Sequence, residues 1–286
     1  MTTSLSLSRE VERLVNGMPT SDGAGVRLLR VLTQDLQRRL DPFLMLDYFH
    51  SDNPDDYLAG FPEHPHRGFE TVTYMLNGRM RHRDNAGNEG LLTAGGVQWM
   101  TAGRGIVHSE LPEQEEGMMQ GFQLWVNLPG KHKMTTPGYR DIPASDIPVT
   151  TTEHGVTVKV IAGSFGDVVG AVQKPDTEPV YLDLVIPAGA RFDYALPVDY
   201  NAFVYVYQGD AHVGGRAQVV HEKQMAVLEN RPEKTQVSVT AGDAETRLLL
   251  IAGKPLRESI AQWGPFVMNT REEVEQAVHD FHAGHF

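Results

Sequence analysis

Two segments of this chain, far apart in sequence, repeat one another. TVTYMLNGRMRH aligns with AFVYVYQGDAHV, so that Gly78 falls on Gly209 at an offset of 131 residues. Solenoid repeats have much shorter periods, about 20–50 residues, so this offset indicates a duplicated domain. We therefore expect two copies of one fold in the chain.

Both repeated segments alternate in the way that β-strands do. Residues 70–83 form two alternating runs joined at Asn77-Gly78, the dipeptide most favoured in tight hairpins. Short runs at regular spacing return after Pro179, as YLDLVI, NAFVYVYQGDAHV, QMAVLE, TQVSV and RLLLIAG. This texture is typical of a barrel or sandwich, and it predicts an all-β protein with two barrel domains.

The C-terminus differs from the rest because it has the pattern of a helix. Thr270 and Glu273 have the spacing of a capping box, and Gly284 is placed to end the helix. The apolar residues between them share one helical face; they are Val274, Ala277, Val278 and Phe281. Since so short a helix needs packing, we expect it to dock onto one of the barrels.

Proline content suggests where the two domains divide. The stretch from Leu128 to Thr152 contains four prolines, which favours extended structure. We expect an N-terminal domain at residues 1–135, a linker at 136–152, and a C-terminal domain at 153–286 that ends in the helix.

The core is expected to contain Trp99, Trp125 and Trp263. We expect Phe43, Met45 and Phe69 in the core or in the wall of a pocket.

Composition excludes several classes of protein. The formal charge of −12, without a cluster of Lys and Arg, argues against direct binding to nucleic acid or to an anionic membrane. The absence of cysteine excludes disulfides and thiolate sites and fits a reducing compartment. Neither a signal peptide nor an apolar run of about 18 residues is visible, so a cytoplasmic location is expected.

Because two barrels in one chain can cover their own edges, we expect a monomer.

His64 and His66 are the first candidate metal ligands. Residues i and i+2 of a strand project to one face, so both imidazoles can reach a single ion. A bare pair of this kind is more often two surface histidines on an edge strand, since short motifs give many false matches.

A second pair, His108 and Glu110, follows a glycine-rich turn and supplies a third imidazole and a carboxylate. Three imidazoles and one carboxylate suit Fe(II), Mn, Ni, Cu or Co and leave open positions for substrate or oxygen. Glu70 lies an even number of residues from His66, which leaves three roles open for it: ligand, hydrogen-bond partner of a histidine, or buried residue that satisfies a turn.

The sequence resembles the pirin family of two-cupin proteins. The resemblance rests on LDPFLMLDYF, HPHRGFETV, GGVQWMTAGRGIVHSE and GPFVMNT, and it covers essentially the whole chain. It implies two cupin (jelly-roll) barrels and a metal held by His64, His66, His108 and Glu110. It also implies that only the N-terminal barrel binds metal. At the repeat offset, His64, His66 and Glu70 indeed fall on Ala195, Pro197 and Asn201.

The resemblance implies two different functions. One is that of bacterial pirin-like quercetin 2,3-dioxygenases, which would use a divalent metal to open the ring of a flavonol with O₂. The metal expected is foremost Fe(II), and Mn, Ni, Cu, Co or Zn are possible. Glu110 would then be the base that removes the flavonol 3-hydroxyl proton. The alternative is an iron-dependent regulatory protein that acts on a transcription factor or metabolic enzyme. A sugar-phosphate isomerase is disfavoured, since no cluster of Lys and Arg is evident for the phosphate.

Overall fold

The computed structural model describes residues 7–286, and strands dominate them. In chain order the strands are β1 (Val11–Asn16), β2 (Met18–Asp22), β3 (Val26–Leu32), β4 (Phe43–Ser51), β5 (Phe61–His66), β6 (Phe69–Asn77), β7 (Arg79–Asp84), β8 (Glu89–Thr93), β9 (Val97–Thr101), β10 (Ile106–Pro112), β11 (Met119–Asn127), β12 (Gly138–Ile142), β13 (Val149–Thr151), β14 (Thr157–Ala162), β15 (Ser164–Phe165), β16 (Val168–Val169), β17 (Val180–Ile186), β18 (Arg191–Ala195), β19 (Asn201–Gln208), β20 (Ala211–Val213), β21 (Gln218–Val220), β22 (Gln224–Leu228), β23 (Gln236–Ala241), β24 (Thr246–Gly253), β25 (Ala261–Trp263) and β26 (Phe266–Met268). Helix α1 spans Arg271–His282, and short 3₁₀ turns lie at Gln34–Leu36, Pro54–Asp56, Gly130–His132 and Ala144–Asp146.

The N-terminal unit, defined here as residues 18–146 and 256–286, contains the first set of sheets. Its larger sheet has the order β12-β9-β6-β11-β4-β3-β2, and its smaller sheet has the order β5-β10-β7-β8. Apolar side chains from both sheets meet in one buried cluster, which includes Leu28, Met75, Met80 and Leu92. The alternation seen in the sequence therefore places one face of each sheet in a shared core.

The C-terminal unit, defined as residues 7–17 and 147–255, repeats the same topology. Its sheets have the orders β1-β22-β19-β24-β17-β14-β13 and β18-β23-β20-β21. The repeated glycines stand at equivalent hairpins, where Gly78 and Gly209 both have positive φ angles (90° and 73°). Valine and leucine side chains from both sheets fill the core between them. Two copies of one fold are thus present, as the repeat predicts.

The structure divides the chain differently from the expected boundaries. Residues 136–152 are not an unpaired linker, because β12 extends the larger sheet of the N-terminal unit and β13 pairs with β14 in the C-terminal unit. The first strand, β1, pairs with β22 and so belongs to the C-terminal unit. Strand pairing between distant segments, rather than chain order, sets these divisions.

The last 31 residues also lie outside the domain expected for them. The segment 256–286 packs in the N-terminal unit, where Val267 is buried with Leu44 and Phe69. Its helix begins with the predicted capping box: the Thr270 side chain accepts from the Glu273 amide, and the Glu273 carboxylate accepts from the Thr270 amide. Val274 and Ala277 are the buried residues of this helix.

Trp263 differs from its expected place in the core. Trp99 is buried, whereas Trp263 is 71% exposed at the end of β25. Among residues 7–286, no helix has the length and apolar character needed to cross a membrane.

Candidate metal centre

Three histidines from two neighbouring strands meet at one end of the smaller sheet. His64 and His66 lie on β5, and His108 on β10 is the cross-strand partner of His64. Their ligand atoms all lie within 4.8 Å of one another, and His64 Nε2 is 3.0 Å from His66 Nε2. Strand alternation and antiparallel pairing therefore bring together the three imidazoles that the two short motifs predict.

The surrounding residues fix the orientation of two of these rings. His64 Nδ1 lies 2.8 Å from the Pro62 carbonyl, which leaves Nε2 directed at the other histidines. The His66 ring packs edge-on against Phe69 and Trp125, with centroids 5.1 and 5.3 Å away. A partner on one ring nitrogen that leaves the other free is the arrangement typical of metal-binding histidines.

The surroundings of His66 and His108 favour neutral imidazole rings, which can bind a metal cation. Burial lowers the pKa of His66 and of His108 well below the usual histidine value, and the neighbouring imidazoles lower it further. Both rings are therefore neutral near pH 7, with lone pairs available. His108 Nε2 is buried and has no hydrogen-bond partner in the part of the chain that the structure describes. Three imidazoles around one point fit a divalent transition metal.

Glu110 lies on the same strand but stands apart from this group. Its oxygens are not among the ligand atoms that cluster within 4.8 Å. Instead Thr73 Oγ1 lies 3.0 Å from Glu110 Oε1, and Gln123 Nε2 donates to Glu110 Oε2 at 3.0 Å. The strand register shifts between His108 and Glu110, where Glu110 pairs with Phe61. The carboxylate is 1% exposed and is held mainly by the larger sheet.

His82 is a buried residue of this site that sequence reasoning missed. It pairs with Glu110 across β7 and β10, and its Nδ1 lies 3.5 Å from Glu110 Oε1. Burial lowers the pKa of His82, so the ring is neutral near pH 7. The signal was the alternation of β7, in which Met80 and His82 are buried while the intervening arginines face outward.

Of the three roles left open for Glu70, the structure favours that of a buried residue outside the histidine cluster. It lies on β6 opposite Thr101, whose hydroxyl donates to Glu70 Oε1 at 2.6 Å. The even spacing from His66 is not informative, because β5 ends at His66 and the chain turns at Gly68 before β6 begins. Glu70 is thus a buried hydrogen-bond acceptor on a different strand.

A cavity of about 760 Å³ in the N-terminal unit reaches the histidines. Its buried end is lined by His66, Thr73 and Glu110, together with the partly exposed His64 and Gln123. Of the residues expected in its wall, Met45 is there, whereas Phe43 and Phe69 are fully buried in the core. The volume is in the range of pockets that enclose small organic ligands.

The C-terminal unit has no equivalent cluster among its described residues. Within residues 7–286, one group of three or more histidine or carboxylate side chains could hold a metal ion, and it is His64, His66 and His108. His221 is largely exposed, with its Nδ1 3.1 Å from Asp210. In the C-terminal unit the strand that corresponds to β5 is β18, which ends at Ala195 and contains no histidine.

The repeated sheet topology and the histidine cluster in one copy define a two-cupin protein with a single candidate metal centre. Residues 25–126 match the Pirin domain, and residues 181–286 match the Pirin C-terminal cupin domain. The chain belongs to the pirin family.

Three known proteins illustrate this relationship. A Pseudomonas aeruginosa protein named "putative quercetin 2,3-dioxygenase" is 55% identical over 96% of this chain and 97% of its own length. Human pirin is 41% identical over 96% of this chain and 92% of its own. The crystal structure of quercetin 2,3-dioxygenase from Acinetobacter baumannii is 34% identical and has a TM-score of 0.90, with 98% of each chain covered.

Proposed function

We propose that this protein is a metal-dependent dioxygenase that opens the ring of a flavonol with O₂. The observation that carries the proposal is the cavity of about 760 Å³ that His64, His66 and Glu110 line, with His108 clustered beside the two histidines. The relatives named for quercetin 2,3-dioxygenase activity support the same substrate class.

The three histidines would hold the metal, and Glu110 is proposed as its fourth ligand and as the general base. Fe(II) is the metal we expect, and Mn, Ni, Cu, Co and Zn also suit this donor set. A bound divalent metal would supply Lewis acidity toward the deprotonated flavonol oxygen. The apolar wall beside it, which includes Met45, Phe49 and Trp125, would hold the aromatic rings and exclude water.

Glu110 stands in a closed ring of three polar contacts. Thr73 Oγ1 lies 3.0 Å from Glu110 Oε1 and 2.8 Å from Gln123 Oε1, and Gln123 Nε2 lies 3.0 Å from Glu110 Oε2. The Thr73 hydroxyl has one hydrogen, so it can donate to only one of its two acceptors. When Glu110 is ionised, one of the three contacts therefore has no hydrogen between its two heavy atoms.

A proton on Glu110 completes this ring. Glu110 Oε1 then donates to Thr73, Thr73 donates to Gln123, and Gln123 donates back to Glu110 Oε2. The site can thus receive the proton of the flavonol 3-hydroxyl at Oε1 and keep all three contacts of the ring. This property supports Glu110 as the base of the proposed reaction.

Turnover with defined metals tests the proposal. The protein is loaded anaerobically with Fe(II), Mn, Ni, Cu or Co, and then receives flavonol and O₂. We expect loss of the flavonol absorption band together with release of CO. If no metal supports turnover, and a protein partner is recovered with the loaded protein, the regulatory alternative replaces the dioxygenase.

The Glu110→Gln variant distinguishes a role of Glu110 as general base from a role as metal ligand alone. The amide can keep the contacts to Thr73 and Gln123 but cannot accept the substrate proton. We expect turnover to fall on the order of a hundredfold or more, the usual contribution of a general base, while bound metal falls much less. Equal losses of metal and turnover would reduce Glu110 to a ligand.

A further inference from the structure

The cavity changes in chemical character from its buried end to its open end. His66, Thr73 and Glu110 are at most 3% exposed, whereas Gln34 and Asp35 are exposed and the Asp22 side chain is 52% exposed. All six residues line the same cavity. The Asp22 and Asp35 carboxylates therefore lie at the exposed part of a cavity that also reaches the histidines.

The charged groups of the cavity wall are mostly negative. Asp22, Asp35 and Asp47 contribute carboxylates, and Arg30 is the one lysine or arginine that lines the cavity among the described residues. The Arg30 guanidinium donates to both Asp47 oxygens, at 2.9 and 2.7 Å, and to Asp22 Oδ2 at 2.7 Å. One cation already faces two carboxylates, so the wall keeps an excess of negative charge.

This arrangement has opposite effects on two kinds of substrate substituent. Carboxylates accept hydrogen bonds from phenolic hydroxyls, and these charge-assisted bonds are stronger than neutral ones. Sulfonate and carboxylate groups instead meet a negative wall, and a concave surface with low-dielectric sides concentrates that field. The chain's formal charge of −12 acts in the same direction.

We infer that this cavity selects uncharged, hydroxyl-bearing aromatic substrates over their anionic derivatives, with Asp22 and Asp35 as specificity-determining residues. The inference rests on the proposed function, because it concerns the substrate of the same site. Asp22 and Asp35 do not touch the reacting atoms in this scheme, since they lie at the exposed end of the cavity. Their effect is on which ligand binds, and salt should weaken it because exposed charges are screened.

Binding to a redox-inert form of the protein measures this selection without turnover. The protein is loaded with Zn(II), freed of excess metal, and titrated anaerobically with quercetin and with a sulfonated quercetin. Quenching of tryptophan fluorescence reports binding, since Trp125 lines the cavity. We expect the neutral flavonol to bind tighter, on the order of fivefold at low salt, with a smaller ratio at high salt.

A pair of double variants assigns the effect to the cavity. Asp22→Asn/Asp35→Asn keeps an amide oxygen for Arg30 and should lose most of the preference. Glu115→Gln/Glu116→Gln makes the same change in net charge at exposed residues that do not line the cavity, and it should keep the preference. This control separates the local field from the overall charge.

The outcomes distinguish the inference from the proposed function. Equal binding of the two flavonols, or an unchanged preference in the Asp22/Asp35 variant, overturns the inference and leaves the dioxygenase standing. A preference that depends on these aspartates, found in a protein that turns over no flavonol with any metal, supports the inference and overturns the proposed reaction. Failure of both flavonols to bind overturns both.

Discussion

His108 shows how single residues prepare this site for a ligand. Its Nε2 atom is buried and lacks a hydrogen-bond partner within residues 7–286. Burial of a polar nitrogen without a partner costs free energy, and lowering of the pKa of His108 prevents the ring from being charged instead. Metal binding would recover part of that cost, since structural and catalytic metals stabilise the folded chain that binds them.

We therefore expect His108→Ala to remove the metal. Loss of one of three imidazoles should lower bound metal by about tenfold or more, since even partners that only orient a ligand contribute that much. His221→Ala is the matched control, because this exposed histidine lies in the C-terminal unit. Elemental analysis after dialysis measures the difference. Metal content equal to wild type in His108→Ala would contradict the assignment of the centre.

Thr73→Val tests the proposal that the polar ring holds a proton on Glu110. Valine keeps the shape of the side chain but removes the hydroxyl that lies between Glu110 and Gln123. We expect turnover to fall roughly fivefold, with metal content unchanged, since one neutral hydrogen bond contributes about 1 kcal/mol. Thr71→Val makes the same change two residues earlier on β6, at a side chain outside the cavity wall, and should retain activity. Equal rates in the two variants would show that the ring has no part in turnover.

The histidines were predictable at this scale, whereas the surroundings of Glu110 were not. His64, His66 and His108 follow from two i, i+2 spacings and one strand pairing. The contacts of Glu110 come from β6, β7 and β11. The two i, i+2 motifs do not predict the register that aligns these strands. Sequence spacing fixes which face a residue shares along its own strand, but not which side chains other strands bring to it.

Among the elements, the turn between β5 and β6 connects the histidines to the C-terminal segment. Arg67 follows His66 and donates to Asp280 of α1 at 2.7 Å, and its guanidinium lies 4.4 Å from the Phe286 ring centroid. Lys133 Nζ donates to the Gly68 and Val267 carbonyls at 2.7 and 2.9 Å. Burial lowers the pKa of Lys133 to about 7, so these acceptors offset a real cost of placing an ammonium there. The residues that follow His66 thus also anchor a segment that is distant in sequence.

Gly68→Ala should break this connection. Gly68 has a φ angle of 89°, and a Cβ there would lie 2.0 Å from the Val267 carbonyl oxygen. Gly87→Ala is the matched control, because Gly87 has a similar φ of 85° and open space around its Cβ. Both variants carry the backbone strain of about 1 kcal/mol, but Gly68→Ala should lose at least roughly 2 kcal/mol more in the free energy of unfolding. Urea denaturation measures both, and equal losses would mean that Val267 moves without cost.

For the whole molecule, the number of domains was predictable and their boundaries were not. The repeat at 131 residues indicates two copies, and the two units indeed share one strand order. The boundaries depend on which sheet edge an outer strand pairs with, since β1 completes the C-terminal unit and β12 the N-terminal unit. Alternation predicts that a segment is a strand, but not which exposed sheet edge it will pair with.

Hydrogen exchange with and without metal tests this division of the chain. A ligand that binds only the folded N-terminal unit stabilises it, by about 2.7 kcal/mol when free metal exceeds the dissociation constant a hundredfold. Residues 256–286 are hydrogen bonded within that unit, through Arg67 and Lys133, so their amides should gain protection together with residues 18–146. Amides of residues 147–255 should change little, and His108→Ala should abolish the gain. If the amides of residues 256–286 instead changed in the same way as those of residues 147–255, the C-terminal segment would belong with the second barrel. That is the division that chain order alone suggests.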